Sequence, residues 1–171
     1  MMRIEYSLKE KDYIQFNINA AMKLETYKKN IKLMKIWNRL MMIVVPINLI
    51  LLILDYSIFN LSLFIGSIVV FLATFFYPKL TAYFIGKNAE RIAVENMESI
   101  LGEVILEIDD EWISTIRKNS EKKFKINSIK MIEDTSDYLF VYVNEIEAII
   151  IPNDIFESKE KKETFIQLIR S

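Results

Sequence analysis

Two long apolar runs that follow each other in the chain constrain its fold more than any other feature. They are LMMIVVPINLILLIL, which begins at Leu40, and SIFNLSLFIGSIVVFLATFFY, which ends at Tyr77. Neither run contains a charged side chain, and Asp55 separates them. A bilayer core of about 30 Å takes about 20 apolar residues of helix, whereas one helix over 40–77 would be roughly 57 Å long. The runs therefore predict a transmembrane hairpin of two helices over 40–77, broken near Asp55.

The basic residues predict how this hairpin is oriented. The connector around Asp55 to Asn60 has no Lys or Arg, whereas basic residues lie on both outer flanks. By the positive-inside rule, both termini are then cytoplasmic and the connector is outside. The flanking residues are Arg3, Lys9, Lys11, Lys23, Lys28, Lys29, Lys32, Lys35 and Arg39 before the first span, and Lys79, Lys87 and Arg91 after the second.

The composition of the chain narrows the chemistry that it could perform. The sequence has no Cys and no His, which excludes Ser-His-Asp catalysis, thiolate nucleophiles and the usual imidazole or thiolate metal sites. The formal net charge of −1 is not that of a general nucleic-acid binder. We therefore expect no catalytic residues, no metal, no cofactor and no nucleic-acid partner, and do not expect an enzyme.

The region before the hairpin, residues 1–39, reads as a strand followed by an amphipathic cytoplasmic helix. Residues 2–6 alternate apolar and polar side chains, as in a strand. Ser7 and Glu10 have the spacing of a capping box, which predicts that the helix begins there. One apolar stripe then runs along the helix at steps of three and four: Tyr13, Phe16, Ala20, Leu24, Tyr27, Ile31 and Met34.

A basic cluster lies directly before the first span. Four of its members are spaced by four, three and four residues, so they share one helix face, and the fifth adjoins them. Each charge could contribute about 1 kcal/mol of attraction to an anionic leaflet. We interpret the cluster as lipid-facing, with a simple topology signal as the alternative. Its members are Lys28, Lys29, Lys32, Lys35 and Arg39.

The sequence also predicts the roles of several residues in the hairpin and directly after it. Pro46 should bend the first span, and Asn48 should make an interhelical hydrogen bond or, alternatively, contact a ligand. Pro78 either kinks a continuing helix or starts a new one. An amphipathic connecting helix is expected over 78–101, ended by Gly102 at its C′ position. In the second span one face carries small side chains suited to close helix packing: Ser62, Gly66 and Ala73.

After Gly102 the apolar period changes from helical to two, which predicts a cytoplasmic β domain over 102–171. The terminal helix, 159–170, should cap an antiparallel sheet or partial barrel. Asp109, Asp110 and Glu111 could form a cation site but are more typical of a solvated hairpin tip. The predicted strands are 103–109, 112–118, 121–126, 129–135, 138–143 and 146–152.

Four residues of this domain are possible partner contacts. Lys122, Lys123 and Lys125 surround Phe124 and predict an exposed strand edge or face. We expect Trp112 to be buried on the sheet, with Ser114 and Ile116 on its side; an exposed Trp112 would instead be a contact residue.

Nearly the whole chain resembles the YcxB-like family of small bacterial membrane proteins. The resemblance rests on the segments IEYSLKEKDYIQF, GEVILEIDDEWIS, INSIKMIEDTSDYLFVYV and AIIIPNDIFES, together with the hairpin and the final amphipathic helix. It implies an α+β membrane protein with a pleckstrin-homology-like C-terminal domain and brings no assigned activity. The family usually has a basic residue after the Pro of its IP segment, where this chain has Asn153 after Pro152.

Three functional hypotheses follow. The first is a non-catalytic multi-pass protein of the bacterial inner membrane whose β domain binds a lipid headgroup, an unknown protein or a second copy of itself. The second is an immunity protein that protects the membrane against a bacteriocin or toxin. The third is an accessory subunit of a transporter.

The predicted topology can be tested with a reporter that is active only outside the membrane. It should be silent when fused after Ser171 and active when inserted near Ser57, because the basic residues flank the hairpin on one side. An active fusion at Ser171 would contradict the assignment.

Overall fold

The structure is a computed structural model that describes residues 2–144 and 147–170. Within these residues, helices and strands follow one another as β1 (Met2–Leu8), α1 (Glu10–Lys23), α2 (Glu25–Leu54), α3 (Ile58–Glu95), α4 (Met97–Ile100), β2 (Gly102–Ile108), β3 (Trp112–Arg117), β4 (Ser120–Lys125), β5 (Met131–Asp134), β6 (Tyr138–Tyr142), β7 (Ala148–Pro152) and α5 (Lys159–Arg170).

The chain divides into two compact units. One, which we call the β-rich unit, is made from two separate stretches, Met1–Ala20 and Gly86–Ser171. The other, the helical-pair unit, is the stretch Ala21–Ile85, which holds most of α2 and α3.

The strands form two antiparallel sheets, one in the order β1-β2-β3-β4 and one in the order β5-β6-β7. The expected antiparallel β region after Gly102 is therefore confirmed, with strand ends shifted by at most two residues. The predicted strand 146–152 and the predicted turn before it include Glu145 and Ile146, which lie outside the described residues; β7 begins at Ala148. The N-terminal strand is also confirmed, and it lies at the edge of the four-stranded sheet, from Met2 opposite Ile108 to Leu8 opposite Gly102.

The core of the β-rich unit draws on both sheets, α1 and α5. Phe16 of α1 contacts Phe140 of β6, with ring centroids 5.7 Å apart. Phe165 of α5 is fully buried against the same core. The Tyr6 hydroxyl donates a 2.8 Å hydrogen bond to the carbonyl of Ile150, which joins the two sheets directly.

The start of α1 differs from the predicted capping box. Ser7 lies within β1, where it pairs with Glu103, so it is not available as a cap. Asp12 instead accepts a 2.8 Å hydrogen bond from the backbone N–H of Lys9. Its second carboxylate oxygen accepts a 2.9 Å bond from the Tyr138 hydroxyl of β6. Asp12 is 2% exposed, and these two bonds offset the cost of burying its charge.

The predicted continuous amphipathic helix is two helices. Leu24, with φ −58° and ψ 135°, is extended and separates α1 from α2. The apolar stripe is therefore divided: Phe16 and Ala20 lie in the core of the β-rich unit, whereas Leu24 is 39% exposed. The sequence pattern does not show this break, because apolar residues recur at steps of three and four on both sides of the one extended residue.

The predicted break between the two apolar runs is confirmed, since α2 ends at Leu54 and α3 begins at Ile58. Both helices are long and apolar enough to cross a membrane by length and composition. α2 continues through Pro46, and α3 continues through Pro78 to Glu95. The alternative of a new helix starting at Pro78 is therefore wrong. At Pro78 the Thr81 hydroxyl donates to the Tyr77 carbonyl at 2.9 Å.

Side-chain amides join the two long helices. The Asn48 amide of α2 donates to the Leu63 carbonyl of α3 at 3.4 Å, which is the interhelical hydrogen bond expected from the sequence. Asn38 makes a second such contact, with the Thr74 hydroxyl at 3.3 Å. The close helix packing predicted for three small residues of α3 is not observed. Ser62, Gly66 and Ala73 are all exposed, and nothing lies within 4 Å of a Cβ built on Gly66.

Close helix packing occurs instead at the C-terminal end of α3. Gly86, Ala89 and Ala93 are buried at helical spacing in the β-rich unit. A Cβ on Gly86 would lie 3.3 Å from the side chain of Ile18, so the small residues let α1 approach. Beyond this contact, α4 ends before Gly102, whose φ of +100° suits the predicted C′ glycine.

The predicted burial of Trp112 is wrong. In the register of β2 with β3, Ile108 lies opposite Ile113, so Ile113 faces the core and is fully buried. Trp112 points to the other face of the sheet with Ser114 and Ile116 and is only half-buried. Since side chains alternate along a strand, the register of one pair decides the face of every residue.

This register gives a stability prediction. Ile113→Ala should lower the free energy of unfolding by about 2–5 kcal/mol, because it leaves a cavity in the core. Trp112→Ala should cost less, because the ring is half-exposed. Near-UV circular dichroism of the full chain during thermal unfolding, which reports the packing of core tyrosines, measures both. A larger loss for Trp112→Ala would contradict the register.

Buried tyrosines make the fold sensitive to alkaline pH. Burial and the adjacent Asp12 raise the pKa of Tyr138 to about 12. Burial also raises the pKa of Tyr6 and of Tyr142. Because the folded chain holds these protons more tightly than the unfolded one, their stabilisation is complete below about pH 10 and is lost as the pH rises toward 12.

We expect the midpoint of thermal unfolding to fall steeply between about pH 10 and pH 12. Tyr138→Phe should make this fall shallower, because it removes one titrating phenol, whereas Tyr56→Phe at an exposed position should leave it unchanged. Equal slopes for all three proteins would contradict the assignment.

Candidate functional site

The first predicted site is the basic cluster of α2, composed of Lys28, Lys29, Lys32, Lys35 and Arg39. All five side chains are exposed. Asn38, which bonds Thr74 of α3, lies on a different side of α2 from the face shared by Lys28, Lys32 and Arg39. Within the described chain none of the five forms an ion pair with a carboxylate. The cluster thus presents uncompensated positive charge to its surroundings.

The second predicted site lies on the four-stranded sheet. We call the side of this sheet opposite the core its outer face. The register of β3 with β4 places Trp112 opposite Lys125 and Ser114 opposite Lys123, so the outer face carries all four of these side chains. β4 is an edge strand, as expected from its lysines. The structure therefore brings three of the four predicted contact residues together.

We call Trp112, Lys123 and Lys125 the Trp–Lys patch. The Nζ atoms of Lys123 and Lys125 lie 5.0 Å and 5.4 Å from the centroid of the indole ring. Both distances are within the range of a cation–π contact. Neither lysine has a carboxylate partner among the residues that the structure describes. The ring holds the two ammonium groups while their charge stays available to an anion.

The remaining charges of the outer face are distributed unevenly. Arg3 is compensated, because it contacts Glu5 at 2.8 Å and Glu107 at 3.3 Å. The other acidic side chains of this face, Glu103 and Glu121, lie nearer the opposite end of the sheet from Lys125. The patch therefore gathers lysines that form no ion pair at one end of the sheet, next to the acidic turn of residues 109–111, where Asp109 interacts electrostatically with Lys123.

Lys122 does not belong to the patch. It lies between Lys123 and Glu121 in β4 and projects to the other side of the sheet, where it pairs with Glu147. The alternation of side chains along a strand could have separated Lys122 from Lys123 and Lys125 in the sequence. The sequence alone does not show which of the two faces of the sheet packs against the core and which is exposed.

In the acidic turn between β2 and β3, the Asp109 carboxylate accepts hydrogen bonds from the backbone. One carboxylate oxygen of Asp109 accepts hydrogen bonds from the N–H groups of Glu111 at 3.0 Å and Trp112 at 2.7 Å. These bonds, with a smaller contribution from Lys123, hold the pKa of Asp109 below its usual value. Asp109 therefore shapes the turn that precedes Trp112, as a hairpin-tip residue does. Across 2–144 and 147–170, no group of three or more His, Cys, Asp or Glu side chains could hold a metal ion.

Asn153 occupies the position at which the resembled family usually has a basic residue. Its side-chain amide donates to the carbonyls of Thr135 at 2.7 Å and Ser136 at 3.1 Å. Its backbone N–H donates to the Asp137 carbonyl at 2.8 Å. In this chain the position therefore fastens the end of β7 to the turn between β5 and β6.

Comparison with known proteins gives one match. The family model described as YcxB-like protein matches residues 108–169, which run from the end of β2 into α5. No curated protein and no solved structure matches the chain. The matched segment contains the whole Trp–Lys patch and excludes β1 and the two long helices. The resemblance inferred from the sequence is thereby confirmed in this segment: residues 108–169 are similar to the YcxB-like protein family.

Proposed function

We propose that this chain is a non-catalytic, multi-pass protein of the bacterial inner membrane that presents a cytoplasmic, pleckstrin-homology-like domain to anionic lipid headgroups. The observation that carries the membrane part is the exposure of α2 and α3. In the most apolar stretch of each helix only 6% of the residues are buried. Exposed apolar surface of this extent is unfavourable in water and favourable in hydrocarbon.

The polar groups of the helical pair are compatible with a lipid environment. The amides of Asn38 and Asn48 are bonded across the pair, to Thr74 and to the Leu63 carbonyl. In the first turn of α3, the Asn60 amide donates to the Asp55 carbonyl of the connector at 2.7 Å. Bonds of this kind remove the cost of placing an unsatisfied polar group in hydrocarbon. The proposed orientation follows from the basic flanks and from a connector without Lys or Arg.

A pleckstrin-homology-like domain is supported by the arrangement of the β-rich unit. Its strands form one four-stranded and one three-stranded antiparallel sheet, and the amphipathic helix α5 closes the core with Phe165 and Ile169. The YcxB-like segment covers most of this arrangement.

The Trp–Lys patch supports an anionic lipid headgroup as the partner. Tryptophan is favoured at the membrane–water interface, where its ring is partly apolar and its N–H can find an acceptor. Each nearby Lys or Arg adds about 1 kcal/mol of attraction to an anionic leaflet. The exposed basic cluster of α2 would add to the same attraction. A protein partner for the patch is the competing outcome of the test below.

The proposal can be tested by the fluorescence of Trp112. The chain has two tryptophans, so Trp37→Phe leaves Trp112 as the only indole, which can be excited selectively at wavelengths where tyrosine does not absorb. In nanodiscs with anionic lipid, a headgroup-level spin label should quench Trp112, and quenching should decrease as salt rises, because charges are screened over about 8 Å at physiological salt. Discs of purely zwitterionic lipid should show little quenching.

The double substitution Lys123→Gln with Lys125→Gln should reduce quenching in the anionic discs. Lys122→Gln is the matched control, because Lys122 lies in the same strand, directly before Lys123, and projects to the other face. Quenching that is the same in both lipid compositions and in all variants would rule out the lipid contact and favour a protein partner.

A further inference from the structure

A partly open pocket of about 400 Å³, which we call the cavity, lies in the β-rich unit, apart from the Trp–Lys patch. Residues from α1, α4, β3, β4 and β7 contribute to its wall. Apolar side chains supply much of the lining, including Phe16, Phe124 and Ile149. Hydroxyl-bearing Thr115 and Ser120 lie among them. The volume is within the range of small-molecule sites, and such sites are mostly apolar with a few polar groups.

Arg117 brings a positive charge to this cavity. It is the last residue of β3 and, by alternation, lies on the same core-facing side as Ile113 and Thr115. Its side chain lines the cavity, and one terminal nitrogen donates a 3.0 Å hydrogen bond to the carbonyl of Ser99. Its Nε atom is buried and has no hydrogen-bond partner.

No carboxylate of the described residues lies within ion-pair distance of Arg117. The other charged residues of the cavity wall, Lys122 and Glu147, pair with each other and leave no net charge. Burial lowers the pKa of Arg117, yet a guanidinium stays protonated in proteins. An unpaired buried N–H on a charged group is costly and is rare without a functional reason.

We propose that this cavity binds a small amphiphile whose anionic head, a phosphate or carboxylate, pairs with Arg117 and whose apolar body lies against Phe16, Phe124 and Ile149. A guanidinium presents N–H donors in a planar fork that fits a phosphate or carboxylate. An anionic head in the cavity would compensate the guanidinium charge that no carboxylate neutralises, and an apolar tail would fill the remaining volume. This proposal concerns the interior of the β-rich unit and does not depend on the lipid contact of the outer face.

Hexyl phosphate is a suitable probe, because it carries both parts of the proposed ligand in a short molecule. Isothermal titration calorimetry of the full chain in zwitterionic nanodiscs should show saturable binding of hexyl phosphate. Empty discs give the background from partitioning into lipid. Hexanol tests the need for the anion, and inorganic phosphate tests the need for the apolar body. Both should bind at least tenfold more weakly.

Arg117→Gln should weaken hexyl phosphate binding by about tenfold or more, the loss expected for a charge-assisted contact. Lys118→Gln, one residue further and exposed, is the matched control and should bind as the unmodified chain does. Ser120→Leu keeps Arg117 and fills part of the cavity, so it should weaken hexyl phosphate while sparing inorganic phosphate. Because Arg117 is unchanged in Ser120→Leu, the result for this variant does not depend on whether Arg117→Gln folds.

Equal binding of hexyl phosphate and inorganic phosphate would overturn the amphiphile assignment. An equal loss in Arg117→Gln and Lys118→Gln would overturn the role of Arg117. No saturable signal above that of empty discs at millimolar hexyl phosphate would overturn the site itself.

Discussion

The pairing of β1 with β2 is the interaction on which the rest of the structure depends. It joins two stretches of chain that the long helices separate, with seven consecutive residue pairs from Met2–Ile108 to Leu8–Gly102. Tyr6 and Leu8 enter the core through this pairing, and Tyr6 then bonds the second sheet at Ile150. Closing so long a loop costs chain entropy. The ladder, the buried side chains and the contact of α1 with β6 offset that cost together.

The registers of β2 with β3 and of β3 with β4 set the two faces of the four-stranded sheet. Once Ile108 and Ile113 are opposite each other on the core side, Trp112, Lys123 and Lys125 must lie on the outer side. The Trp–Lys patch is thus a consequence of register, not of a local motif. Asp109 supports it by fixing the turn that leads into Trp112 through two backbone hydrogen bonds.

β3 contributes residues both to the core and to the cavity, and Arg117 is its contribution to the cavity. Residues at the start of β3 fill the core, and its last residue brings a guanidinium to the cavity between the secondary-structure elements. Its hydrogen bond to the Ser99 carbonyl holds the side chain next to α4 without neutralising its charge. A half-buried charge that the fold leaves without a carboxylate partner costs stability, which is why we interpret Arg117 as a binding residue.

The sequence by itself determined the two long apolar helices, their break after Leu54, the Asn48 contact, the glycine after α4 and the strands that follow it. These features depend on local composition and on periods of two or about 3.6, which neighbouring residues fix. The sequence also shows the resemblance to the YcxB-like family, which the family-model match confirms for residues 108–169. Only the tertiary structure decided that Leu24 divides the first helix, that Asp12 and not Ser7 caps α1, and that Trp112 faces outward. Each of these depends on a partner distant in sequence or on strand register, and a shift of one residue reverses every face without altering the local pattern.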